Sequence, residues 1–147
     1  MRVIIVGAGQ VGSSIAADLA GEHEVIVVDC DAERTEELNY SLDVLAVTGD
    51  GTSLSTLEEA GIEETDMVIA STDDDETNIV VCSTAKAVSD AFTIARVKNT
   101  EYLRTWERSN RAFGVDFMVC TNLLAAESIV RMIGLPAARD VDPFAGG

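Results

Sequence analysis

Two acids, one arginine and a run of glycines carry the chemistry open to this chain. Gly7-Ala8-Gly9-Gln10-Val11-Gly12 follows directly on the apolar run Val3–Val6, and a second apolar run, Val25–Val28, ends on Asp29. A glycine turn between a strand and a helix leaves the first N–H groups of the helix unpaired, where the helix dipole favours an anion. Gly7 permits the tight turn, Gly9 lets the backbone approach a pyrophosphate, and Gly12 lets the helix lie close on the sheet. Asp29, at the end of the next strand, is placed to accept hydrogen bonds from an adenosine ribose and to repel a 2′-phosphate. The combination predicts a dinucleotide site on Gly7, Ala8, Gly9, Gln10, Val11, Gly12 and Asp29, with NAD(H) favoured over NADP(H).

Ligands of open α/β sheets bind beyond the carboxyl ends of the strands. That rule nominates further loops: Gly49-Asp50-Gly51-Thr52, Ser71–Asp75, and the strand end at Arg96. Asp50 is suited to lie beside an adenine; a plain turn with Thr52 or Ser53 capping the next helix is the equal alternative. Thr72 and Asp73 fall at the switch between the sheet halves and could border the pyrophosphate and second nucleoside. Arg96 could pair with a ligand phosphate or with a carboxylate such as Asp73. Asp74, Asp75 and Glu76 suit the start of a helix, where acids favour the dipole.

A catalytic apparatus is not in evidence. A dehydrogenase needs a proton donor or acceptor beside the nicotinamide. His23 is the only histidine and precedes the second strand, at the sheet edge opposite the expected site. Neither Tyr40 nor Tyr102 has a lysine four residues on. The expectation is a nucleotide-binding protein that is not an enzyme.

The elements that position these residues alternate regularly. Strands are expected near Val3–Val6, Val25–Val28, Val44–Val47, Met67–Ala70, Thr93–Val97 and Phe117–Val119. Most are short β-branched runs without strict alternation, as in parallel strands buried on both faces. Helices are expected over Gln10–Ala20, Asp31–Tyr40, Ser53–Ala60, Glu76–Ala87, Thr100–Asn110 and Thr121–Ile133, with Asp31, Thr100 and Thr121 as N-caps. Leu103 and Trp106 share a helical face suited to core packing. The pattern predicts an α/β, Rossmann-like, doubly wound fold with a six-stranded, mostly parallel sheet and helices on both faces. Residues 1–134 form this domain, and 135–147 a tail or the start of a linker to a further lobe.

The 147 residues include 26 acids against 10 basic residues, a formal net charge of -16, with Lys86 and Lys98 the only lysines. Such a surface excludes general nucleic-acid binding, which needs a cationic footprint, and does not suit an anionic membrane. Spread acidity with so little lysine resembles proteins of salt-loving organisms, where a Debye length of about 3 Å at molar salt screens self-repulsion. No apolar stretch reaches membrane-spanning length and no signal peptide is present, so a soluble intracellular protein is expected. Cys30, Cys82 and Cys120 lack disulfide or zinc spacing and are expected as reduced thiols, mostly packed.

The segments Ile4–Gly12, Val27-Val-Asp-Cys-Asp31, Gly49-Asp-Gly51, Glu59-Ala-Gly61, Ala70–Asn78 and Ile94-Ala-Arg96 together resemble a known family. Over essentially its whole length the chain is similar to the N-terminal RCK/KTN domain of Trk-type potassium-uptake regulatory subunits. The resemblance implies a cytoplasmic subunit, peripheral to the inner face of the membrane through a potassium-translocating partner whose gating follows nucleotide state. It also implies a ligand role for Gly7 through Val11, Asp29, Thr72, Asp73 and Arg96. Some relatives that respond to ATP look to have an arginine in the glycine loop where this chain has neutral Gln10. NAD(H) is therefore the expected ligand, with ATP or ADP the alternative. A cofactor domain of an oxidoreductase without its substrate domain is a further reading, and a scaffold that has lost its ligand another.

The last helix carries Leu123, Leu124, Ile129, Val130, Met132 and Ile133 on more than one face, with Glu127 and Arg131 as an i, i+4 pair. A terminal helix apolar on several sides is usually buried. A second subunit is the economical cover, and in the resembled family this region packs between subunits. A homodimer, and through this helix a higher assembly, is expected.

Overall fold

Six short β-branched runs become six strands of one sheet, every pairing parallel, in the order β3-β2-β1-β4-β5-β6. The computed structural model describes residues 1–110, 112–120 and 123–134, without the side chains of 123–125. The elements run β1 (Arg2–Val6), α1 (Gln10–Leu19), β2 (Glu24–Asp29), α2 (Ala32–Ser41), β3 (Leu45–Thr48), α3 (Leu54–Glu59) and β4 (Met67–Ala70). They continue with α4 (Asp75–Val88), β5 (Phe92–Arg96), α5 (Thr100–Arg108), β6 (Phe117–Val119) and α6 (Leu123–Gly134).

The central strands are apolar throughout because both faces of the sheet are covered. Val3 and Ile5 of β1, Val25 and Val27 of β2 and Ile69 of β4 join Val11, Ile15 and Leu19 of α1, Leu38 of α2, and Ile129 of α6. Alternate residues Ile4, Val6, Ile26, Val28 and Val68 point the other way, onto Leu57 of α3 and Val81, Cys82 and Ala85 of α4. Leu103 and Trp106 of α5 pack against this second core, as their shared face predicts. Trp106 also donates its indole N–H to the Val115 carbonyl at 2.7 Å.

The strand order reverses between β1 and β4. Connections from the two strands leave toward opposite faces, and the diverging loops open a crevice at their carboxyl ends. Gly7, Asp29, Ser71–Asp73 and Arg96 are all gathered there by register: Val6 lies opposite Val28 and Ala70, and Ala70 opposite Ala95.

Small differences from the sequence reading have local causes. Asn99, not Thr100, caps α5, because its side-chain oxygen accepts the Glu101 N–H at 2.9 Å and Thr100 already belongs to the helix. β3 is shifted to Leu45–Thr48 because its register is set by β2, with Asp29 opposite Thr48. On α6, Ala126, Ile129 and Met132 are buried in the chain's own first core, which covers one of the faces assigned above to a partner. The cap expected at Thr121 and the tail 135–147 lie outside the described residues, as do the side chains of Leu123 and Leu124. No helix among the described residues is long and apolar enough to cross a membrane.

Candidate functional site

The turn from β1 into α1 is built from conflicts that only glycine resolves. Gly7 has φ +111, a conformation L side chains rarely adopt, and a Cβ there would meet the Thr72 backbone nitrogen at 2.9 Å. A Cβ on Gly12 would come within 1.8 Å of the Gly7 carbonyl oxygen, so the first turn of α1 lies directly on the loop. Gly9 is different. Its missing Cβ would meet no protein atom closer than Arg34 Nη1 at 3.9 Å, so its open side faces space rather than packing.

Gly9 is also the N-cap of α1, and it supplies no side-chain hydrogen bond to the helix end. No acid occupies the first turn. The leading N–H groups of α1 are thus left for whatever occupies the crevice.

Asp29 holds the loop in place. Its Oδ2 accepts the Ala8 N–H at 2.7 Å and its Oδ1 accepts the Asp31 N–H at 2.8 Å. Arg34, on the first turns of α2, brings Nη1 to 3.8 Å from Asp29 Oδ2 and Nε to 3.8 Å from Asp31 Oδ2.

Across the cleft, β4 ends in Ser71-Thr72-Asp73 and β5 in Arg96. The Arg96 side chain is buried, and its Nη2 donates to the Ser71 and Thr72 carbonyls at 3.1 and 2.9 Å and reaches Asp73 Oδ1 at 3.5 Å. Asn78, fully buried on α4, secures this wall. Its amide oxygen accepts from the Thr72 N–H and hydroxyl, and its amide nitrogen donates to the Thr72 and Arg96 carbonyls. Asp75 tethers the next loop by accepting the Lys98 and Asn99 N–H groups, both at 2.9 Å.

These walls enclose a cleft of about 320 Å³ lined by residues from all four loops. Of the candidate residues, Gly7, Gly9, Gln10, Val11, Asp29, Thr72, Asp73 and Arg96 line it. Ala8 and Gly12 stand behind that lining and shape it. Asp50 is not brought to the cleft: its Oδ1 accepts the Thr52 N–H at 2.9 Å and hydroxyl at 2.7 Å, and these bonds hold its carboxyl below the usual carboxylate range. This is the turn arrangement, with Ser53, one of the two residues expected there, at the cap position of α3.

One lining residue, Arg34, belongs to none of the loops nominated from the sequence. Cys30 and Ser71 also line the cleft, inside the strand-end loops Asp29–Asp31 and Ser71–Asp75. Arg34 follows Asp31 at i+3 on a capped helix start, a spacing that turns it back over the strand end.

The other groups of chemical interest lie elsewhere. His23 is in the bend entering β2, with Nδ1 3.4 Å from the N-terminal nitrogen, at the opposite edge of the sheet. Cys82 is buried in the second core, and burial pushes its thiol well up. The described residues contain no cluster of His, Cys, Asp and Glu able to hold a metal ion.

Residues 3–121 match the TrkA-N domain. A Trk system potassium uptake protein TrkA homolog from Archaeoglobus fulgidus is 37% identical over 147 residues, covering 100% of this chain and 34% of the relative. The Trk system potassium uptake protein TrkA of Halomonas elongata is 40% identical over 150 residues, covering 100% and 33%. The chain therefore spans about a third of the length of these relatives. Among solved structures, the GsuK channel bound to NAD shares the fold, with a TM-score of 0.68 and 20% identity over 80% of this chain and 21% of that one. On the extent of the match and the identity to its relatives, the chain belongs to the TrkA-N domain family.

Proposed function

We propose that this chain is the nucleotide-reading domain of a regulatory subunit of a Trk-type potassium uptake system. It binds NAD(H) and performs no chemistry on it. The observation that carries the reading is the α1 N-terminus, left without cap or acid, in one cleft with Asp29 at one wall and Arg96 at the other. In this reading the pyrophosphate lies on Gly7–Gly12, the adenosine ribose meets Asp29, and Thr72, Asp73 and Arg96 border the second nucleoside. Arg34, close to Asp29, offsets part of that carboxylate's repulsion of a 2′-phosphate, so discrimination against NADPH is modest. Naming of the relatives as Trk potassium uptake proteins supports a membrane potassium-translocating partner and a place at the inner face of the membrane.

Nucleotide can shift the pose of such a domain only through its differential affinity for two poses. A useful switch requires a coupling of about 1–3 kcal/mol, and the partner must alter nucleotide affinity reciprocally. Val130 and Ile133 on α6 remain half-buried beside the first core and are the surface through which a homodimer forms.

Thermal unfolding in high salt, with NAD, NADH, NADPH, ATP and ADP titrated separately, tests the reading. A ligand bound only by the folded state stabilises it by about 2.7 kcal/mol at a hundredfold excess over Kd. NAD or NADH should give this shift, NADPH a smaller one, and Asp29→Ala should abolish it. No shift with any nucleotide would overturn the proposal.

A further inference from the structure

Arg96 is paired far more thinly than its burial demands. Its side chain is 8% exposed, yet among the described residues only Nη2 finds acceptors, two carbonyls and, weakly, Asp73. Among the described residues, nothing hydrogen-bonds to its buried Nε. Taking a guanidinium out of water is costly unless good partners replace the solvent. Among the described residues the one carboxylate that reaches it is Asp73 Oδ1, at 3.5 Å, the outer limit of a hydrogen bond. Asp73 is itself 93% exposed, so its carboxylate stays mostly hydrated. Lys86 shows the contrast: its ammonium meets Asp116 at 2.6 Å, and that carboxylate is 14% exposed. Both Arg96 and Asp73 line the cleft, on the wall across from the α1 N-terminus.

We infer that the Arg96 end of the cleft is a second anion subsite, suited to a terminal phosphate or carboxylate, and that Asp73 is the resident counter-ion such a group must displace. The inference rests on the nucleotide reading above and adds a selection rule to it. A dinucleotide carries its phosphate charge on the pyrophosphate, at the α1 N-terminus, and brings only its second nucleoside, with no further phosphate, to the Asp73–Arg96 pair. A ligand with an additional phosphate beyond the pyrophosphate reaches Arg96 only by expelling a like charge. Asp73 is therefore a specificity-determining residue that biases the cleft toward dinucleotides, and Arg96 is the group it masks.

Binding of NAD, ADP, ATP and inorganic tripolyphosphate to the intact chain, by calorimetry, tests this with Asp73→Asn. Glu76→Gln serves as a charge control, because it removes a nearby exposed acid without touching Arg96. Asp73→Asn should tighten ATP and tripolyphosphate by about tenfold, on the scale of one pair of unit charges near a surface. NAD, whose second nucleoside Asp73 borders, should not share that gain, and Glu76→Gln should not reproduce it. Adding Arg96→Lys, which retains the charge but loses the fork of donors, should reverse most of the gain. An equal shift for NAD and ATP, or the same gain from Glu76→Gln, would overturn the subsite. If NAD binds and Asp73→Asn leaves ATP and tripolyphosphate unchanged, the subsite falls while the nucleotide reading stands. If NAD never binds but Asp73→Asn still tightens tripolyphosphate, the subsite stands and the nucleotide reading falls.

Discussion

The two turns that flank the switch point have the same topology and opposite chemistry. After β1 the chain enters α1 through glycines, with no side-chain cap and no acid in the first turn. After β4 it enters α4 through Asp74, whose Oδ2 accepts the Thr77 N–H at 2.9 Å and whose hydroxyl partner is the same threonine. Asp75 and Glu76 follow in the first turn, and Asn78 ties the turn to β5. One helix end is satisfied by its own chain and the other is not. A helix N-terminus must find partners for its leading N–H groups from side chains, water or a ligand. The acids of the closed turn and the glycines of the open one thus indicate which end is structural and which is left for an anion.

Substitutions that exchange or damage the two turns should separate these roles. The largest effect is expected at Gly12. Gly12→Ala places a methyl 1.8 Å from the Gly7 carbonyl oxygen and cannot be accommodated without moving α1 off the sheet. Loss of about 3 kcal/mol or more in denaturant unfolding is expected, at the upper end of overpacking costs; a loss below about 1 kcal/mol would show that the close approach is not structural. Next is the closed turn's own fastening. Asn78→Ala leaves the partly buried Thr72 N–H and the buried Arg96 carbonyl without their Asn78 partner, while the Thr72 carbonyl keeps Arg96 Nη2. A cost of about 2–3 kcal/mol is expected from unsatisfied buried groups, together with weaker nucleotide binding because the Arg96 wall loosens. Unchanged stability would remove Asn78 from that role.

Gln10→Glu converts the open turn toward the closed one. An acid in the first turn of α1 should stabilise the helix by about 0.5 kcal/mol through the dipole. It should also lower NAD affinity at least tenfold by placing a like charge on the pyrophosphate position (about 1.4 kcal/mol). Stability and binding moving in the same direction would contradict the assignment. The smallest effect concerns acid. Thr77's side-chain bond, then its backbone bond, holds the Asp74 carboxyl below its ordinary value of 3.8. A depressed folded value stabilises the protein above the unfolded value, and that contribution drains as pH falls from there through the folded value. Asp74→Asn should therefore flatten the acid limb of a Tm-against-pH curve below pH 3.8 and leave its shape near neutrality unchanged.

The sheet and most of its helices were legible because strand and helix identity here is a local matter. Uninterrupted apolar runs such as Val25–Val28 belong in a doubly covered parallel sheet, and Asp31 and Asp74 announce helix starts by their capping chemistry. The glycine loop was legible for the same reason, since its conflicts arise within a few residues or against the adjoining strand end. What was not legible depends on how distant loops meet. Asp75 looked like a dipole partner and is also a buried acceptor for Lys98 and Asn99, contacts that exist only once β4 and β5 are neighbours. Arg34 became a wall of the cleft because α2 turns back over Gly9. Asp50 was equally compatible with a ligand and a turn, and its bonds to Thr52 are those of the turn.

The cleft offers its own reporter for the central claim. Cys30 is exposed and lines the cleft beside Asp29, whereas Cys82 is buried and Cys120 half-buried, with desolvation pushing both of those thiols up. The rate of iodoacetamide modification at Cys30, followed by peptide mass spectrometry with and without saturating NAD, tests occupancy at this position. The account predicts that NAD slows modification of Cys30 severalfold and leaves Cys120 unchanged. A Cys30 rate unaffected by NAD, in a protein shown to bind it, would place the ligand elsewhere and contradict the assignment of this cleft.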